Sequence, residues 1–200
     1  MTQYKIWQTY QNEPWYEPIK SHLELRYQAI VNRMIQTFDY VTPSNDNKLT
    51  YSYVYSSILR DTGSVIDSVV SELITKTNSP FQKNIYGYLK FLESHDPELT
   101  KRSLLFTSNM KTLIPFRRGN NEIPNWWNAY NDVKHNETRN FHQGNLENAF
   151  TSIAALAILA RSVCHMYPAR IFTNIGIVYP PDAIDITNER LLFLKEAEES

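Results

Sequence analysis

Cysteine occurs once in the 200 residues, at Cys164, which excludes an intrachain disulfide framework and any zinc site built on several thiolates. A reducing compartment suits such a chain, and a cytoplasmic location is expected. Glycine is nearly as scarce. The five glycines stand at 63, 87, 119, 144 and 176, and none belongs to a GxGxxG turn, a phosphate-cradling P-loop or a GxSxG elbow. An excess of one charge is missing too: 20 Lys and Arg against 21 Asp and Glu give a net charge of -1. The field of the whole molecule therefore cannot gather nucleic acid or anionic membrane, and any contact with RNA must use a local patch. Long apolar runs are absent as well. The most apolar one, Ile153 to Ala160, covers eight residues before Arg161, whereas crossing a bilayer takes roughly 20. It reads as a buried helix, and no membrane partner is expected. The opening MTQYKIWQTYQNEPWYEP has no apolar segment of the secretory kind. No HExxH or clustered acidic motif occurs, and His135 with His142 and Asp132 would make only an improvised metal set. Neither metal nor cofactor is expected.

What the chain does have is core-forming material. With 42% hydrophobic and 13% aromatic residues it can fill one domain over residues 1–200. Pro18 suits a first helical turn, and Ile19, Leu23, Tyr27, Ile30, Met34 and Phe38 then recur every three or four residues, one apolar helical face. After the breaker TPSNDN at 42–47, Val54, Ile58, Val65, Val69 and Leu73, flanked by Leu59 and Ile66, draw a second stripe that should be the longest helix. Gly63 inside it costs about 1 kcal/mol relative to alanine. Either a neighbouring helix approaches closely there, or the glycine is merely tolerated. Ser79-Pro80 reads as the start of a third helix through Phe81, Ile85, Leu89 and Leu92, stopped at His95-Asp96-Pro97. The runs SLLFT (103–107) and KTLIPF (111–116) suggest a small β-hairpin whose second strand Pro115 confines to an edge. A fourth helix should enter after Pro124 and cover Trp126 to His135, and Asn145 should cap a fifth, apolar almost all round, reaching Tyr167. The expected fold is all-α: an antiparallel bundle of about five helices with the hairpin inserted before helix four. Its core is 19–167, followed by a C-terminal extension, 168–200, that opens with strand-like RIFTNIGIVYPP.

Candidate chemistry gathers in NWWNAYNDVKHNETRNFHQGN, residues 125–145. On a helix, Asn131 and His135 share a face, and Tyr130 and Lys134 form the adjacent row. Arg139 and His142 would join the His135 face only if the helix ran on past Asn136. Trp126 and Trp127 point about 100 degrees apart on a helix. At least one should be core, and the pair could otherwise be a base-stacking platform. Arg117-Arg118 could bind phosphate from an exposed loop, although an isolated basic pair is commonly a solvated surface feature. His135 equally has a plain structural role open to it, hydrogen-bonding the last carbonyls of helix four, with Lys134 favoured there by the helix dipole.

The order of long N-terminal helices, a hairpin, the PxWW entry at 124–127, YNxxKH at 130–135 and an alanine-rich apolar helix resembles the HEPN-type helical-bundle domains of prokaryotic toxin-antitoxin, phage-defence and RNA-processing systems. The likeness covers roughly residues 19–167. That family's signature is an arginine, commonly followed by asparagine, with a histidine four to six intervening residues on. Here Asn131 and His135 match, while Tyr130 stands in the arginine position. The arginine is thought to steady the phosphorane charge while the histidine moves a proton at the ribose 2′-OH. Lys134 or Arg139 would have to replace it, without the bidentate fork of a guanidinium in the case of lysine. The resemblance implies a homodimer with helix-four motifs facing each other, and either of two functions. One is a non-catalytic module that binds RNA, a nucleotide or a partner protein. The other is a metal-independent endoribonuclease with His135 as general acid or base and Asn131 orienting the phosphate or the imidazole. A purely structural helical scaffold is a third outcome.

Overall fold

The computed structural model describes residues 10–102, 104–106, 111–119, 121–164 and 177–178. Helix α1 spans Tyr16–Gln36 and tightens into a 3-10 turn at Thr37–Asp39. Its buried residues are Tyr16, Ile19, Leu23, Tyr27, Ile30, Val31 and Met34, the stripe that the spacing predicts. Phe38 lies in the 3-10 turn and stacks on Phe150 with ring centroids 5.9 Å apart. Helix α2 spans Tyr53–Lys76, the longest of the described helices, and Ser52 caps it by accepting from the Tyr55 amide at 3.1 Å.

Helix α3, Ile85–His95, begins later than the Ser79-Pro80 pair suggests. The Asn84 side chain is the cap, accepting from the Gly87 amide at 3.0 Å. The chain before it folds back so tightly that a Cβ on Gly87 would lie 1.9 Å from the Gln82 carbonyl oxygen. Only glycine fits that approach. After α3, Arg102 and Asp96, both nearly inaccessible, form an ion pair at 2.7 Å, and Arg102 also donates to Ser162 Oγ at 3.3 Å. This ties the loop to the end of α5, the helix Leu146–Cys164.

Three short strands follow the loop or lie beyond α5: β1, Leu104–Phe106, β2, Lys111–Leu113, and β3, Ile177–Val178. β1 pairs antiparallel with β2 on one side and β3 on the other. β2 ends before Ile114-Pro115. The connection 107–110 lies outside the described residues, as do the C-terminal part of the expected fifth helix and most of the extension after 168.

Helix α4, Asn125–Asn140, is helical through His135 and breaks at Asn136, whose φ of -154° and ψ of 72° are non-helical. A 3-10 turn at Phe141–Gln143 leads to Asn145, which caps α5 by accepting from the Asn148 amide at 2.9 Å. Helix α5 is the centre of the bundle. Every residue from Ile153 to Ala160 is 0% exposed, and α1, α2 and α4 all pack on it. By length and composition Leu146–Val163 could cross a membrane, but its surface is covered by the other helices. The fold is a mainly helical bundle, as the apolar spacings imply. α1 lies antiparallel to α5, with Tyr16 at the Val163 end and Phe38 at the Phe150 end.

Candidate functional site

Helix α4 lies antiparallel to α2, because Tyr130 meets Gly63 while Glu137, later in α4, meets Ser56 and Arg60, earlier in α2. The close approach at Gly63 is what that glycine serves. A Cβ there would lie 2.4 Å from Tyr130 Cδ2, inside any carbon–carbon contact. Tyr130 is 2% exposed and its ring packs edge-on against Trp127 at 5.1 Å. Trp127 in turn meets Trp126 and Tyr88 edge-on. Both tryptophans are buried, and the Trp126 indole N–H donates to the Pro115 carbonyl at 2.7 Å. They are core, and neither face is open to a nucleic-acid base.

Lys134 sits above this cluster. Its Nζ donates to the Tyr130 hydroxyl at 3.0 Å and lies 3.9 Å from Asp67 Oδ2. The hydroxyl contact above all, and Asp67 to a smaller degree, raise the lysine pKa. Tyr88 donates to the other Asp67 oxygen at 2.6 Å, and its phenol pKa is raised, first by burial and then by Asp67. A polar chain thus runs Tyr88, Asp67, Lys134, Tyr130 across α3, α2 and α4, with hydrogen bonds at its two ends and an ion pair of 3.9 Å in the middle. The lysine ammonium is exposed but turned toward Tyr130 and Asp67.

His135 is exposed and makes no hydrogen bond or ion pair among the described residues. The carbonyl-capping role open to it from sequence is taken instead by Asn140, whose side-chain amide donates to the Asp132 carbonyl at 3.0 Å. Asn136 caps the short restart of the helix by accepting from the Arg139 amide at 3.2 Å. Asn131 is half-buried one turn before His135. Because the helix breaks at Asn136, the continuous register that would align Arg139 and His142 with His135 does not exist, although both side chains are exposed. Past the kink, Glu137 accepts from the Ser56 hydroxyl and from Arg60 Nη1 at 3.1 Å, fastening this segment to α2.

Of the basic pair before α4, both exposed, Arg118 donates through Nη2 to the two Glu93 carboxylate oxygens at 3.0 and 2.9 Å. The structure therefore brings Tyr130, Asn131, Lys134 and His135 onto the continuous part of α4, leaves Arg139 beyond the break at Asn136, and sets Arg117, Arg118 and His142 outside the helix. It also adds Asp67, Tyr88, Arg60 and Glu137, which sequence spacing does not link to the motif. Among the described residues, no group of three His, Cys, Asp or Glu is placed to hold a metal ion. Comparison of the chain with models of protein families, with curated proteins and with solved structures finds no match in any of the three.

Proposed function

We propose that the chain is a HEPN-like module that binds RNA, a nucleotide or a partner protein and does not cleave RNA, in a bacterial defence or toxin-antitoxin type setting. One observation carries the reading. Tyr130, in the position of the family's arginine, is a core residue seated in the notch of Gly63, with its hydroxyl engaged by Lys134. No cation stands in the arginine position, and the neighbouring lysine is held by Asp67 and Tyr130. Transition-state charge at a scissile phosphate needs preorganised donors, and this motif lacks them. The antiparallel register of β1 with β2 supports reading them as the hairpin inserted before α4.

The exposed, unpaired imidazole of His135 favours the endoribonuclease as the second reading. On that reading the cation would come from Arg60 across the α2–α4 seam or from Arg139. A single assay separates the two: incubation of the full chain with total RNA in EDTA, with end-group analysis. No cleavage above buffer is expected. Products ending in 2′,3′-cyclic phosphate, reduced roughly two to four orders of magnitude in a folded His135→Asn variant, would overturn the binding reading.

A further inference from the structure

Exposed apolar surface gathers at one end of the bundle, where α1 gives way to α2. Of the seven large apolar side chains exposed among the described residues, Tyr40, Leu49, Tyr51, Tyr53 and Val54 stand there, while the other two, Leu25 and Tyr86, lie on α1 and α3. Such a concentration marks a surface that is covered in use. The rings are held in place. Tyr51 and Tyr53 both lean on the half-buried Phe141, edge-on at 5.4 Å and tilted at 4.3 Å. The backbone beneath them is pinned as well, since Tyr51 bridges Asn145 and the Ser52 amide donates to the Gly144 carbonyl at 3.1 Å. Gly144 permits that approach, because a Cβ on it would lie 2.7 Å from Ser56 Cβ. Tyr53 keeps 72% of its surface open. A ring already fixed loses little conformational entropy when covered, and tyrosine is enriched at the centres of protein interfaces.

Charge decides what can cover this corner. Asp39, Asp46 and Arg139 are exposed and Lys48 is partly so, and none of the four is in an ion pair among the described residues. Asp39 precedes Tyr40, Asp46 and Lys48 stand in the loop before Tyr51, and Arg139 lies two residues before Phe141. Free charges of both signs thus surround one aromatic centre. A nucleic acid would meet the two carboxylates, and a peptide of one charge would meet its own sign. A second copy of the corner, turned by a two-fold axis, offers an aromatic centre with both signs around it. We propose that the chain pairs with a second copy of itself through this corner, with Tyr53 and Phe141 at the centre and the carboxylates of one protomer facing the cations of the other. The proposal rests on no part of the HEPN-like reading, whose dimer would instead bring the α4 motifs together.

The test is sedimentation equilibrium of the full chain from about 1 to 500 µM, with a dimer Kd expected on the order of 10 µM, the weak end for a protein interface. Tyr53→Asp should weaken the dimer at least about tenfold, as the loss of a central aromatic does. Asp39→Lys combined with Asp46→Lys leaves only cations at the corner and should weaken it as well, by like charge. Leu25→Asp, at a position 68% exposed on α1, is the control and should leave the Kd unchanged. Melting curves check that each variant is folded. A chain that stays monomeric over the whole range overturns the proposal. So does an unchanged dimer in folded Tyr53→Asp, which would put the interface elsewhere and leave a dimer of α4 motifs standing. Equal weakening by Leu25→Asp, or a monomer that takes up oligouridylate through Tyr53, overturns it too.

Discussion

Replacing Gly63 by alanine tests the contact on which the placement of Tyr130 depends. The added methyl would meet Tyr130 Cδ2, Cγ and Cε2 at 2.4, 2.5 and 2.7 Å, where carbon atoms prefer about 3.5–4.0 Å. The ring has little room to withdraw. Trp127 packs edge-on against it at 5.1 Å, and its hydroxyl is bonded to Lys134. Overpacking of a rigid core ordinarily costs about 1–3 kcal/mol, and three ring atoms met at once put this site near the upper end. Against that, alanine is about 1 kcal/mol better than glycine inside a helix. The net loss should be about 2 kcal/mol, or about 4–8 °C in Tm for a domain of this size. Urea melts of four proteins close a double-mutant cycle: wild type, Gly63→Ala, Tyr130→Leu and the pair. With a flexible leucine at 130 the clash is relieved, and Gly63→Ala should then stabilise by about 1 kcal/mol. A change of sign between the two backgrounds is the expected signature. If Gly63→Ala raises stability with Tyr130 in place, the glycine is merely tolerated, and the notch that holds Tyr130 in the core is not real.

Ile153→Ala, at a fully buried position of α5, should cost about 2–5 kcal/mol; urea melts check this, and a loss within error would remove α5 from the centre. Tyr88→Phe should cost about 1–2 kcal/mol at pH 7 through its hydrogen bond to Asp67. The folded phenol pKa is raised above its unfolded value of about 10. Its contribution is therefore intact below that pH and is lost as the pH climbs above it. Urea melts between about pH 9.5 and 11.5 should show a steeper loss for wild type than for Tyr88→Phe, and equal slopes would refute the burial of this phenol. Sedimentation at roughly tens of micromolar should give a homodimer on the family analogy. A monomer would remove the version of the ribonuclease in which two motifs face each other. Any such interface on α4 must use its polar face, because Trp126, Trp127 and Tyr130 are enclosed within the protomer.

Helix spacing made most of the bundle legible. The stripe of α1, that of α2 from Ile58 onward with Val54 left exposed, the cap at Asn145 and the apolar circumference of α5 follow from periodicity and cap chemistry, which are local. The start of α3 was not legible, since Ser-Pro is an equally good local signal and what displaces it is the fold-back of Gln82 onto Gly87. At the motif, sequence placed Tyr130 and Lys134 in one row and Asn131 and His135 in the other. It could not show that the tyrosine row faces α2, because that depends on a glycine 67 positions earlier. Asp67, Arg60 and Glu137 escaped notice for the same reason: each acts through a partner on another helix.

The burial of α5 on all sides also bears on how the protein is made. During synthesis the chain emerges from its N-terminus at roughly 5–20 residues per second, so the apolar faces of α1 to α4 leave the ribosome before the helix that fills the space between them. Until Leu146–Cys164 has followed, those faces have nothing to close on except one another or a chaperone. A nascent chain stopped before Asn145 should accordingly be sticky and easily proteolysed, and closure of these faces must wait for α5 to thread into place.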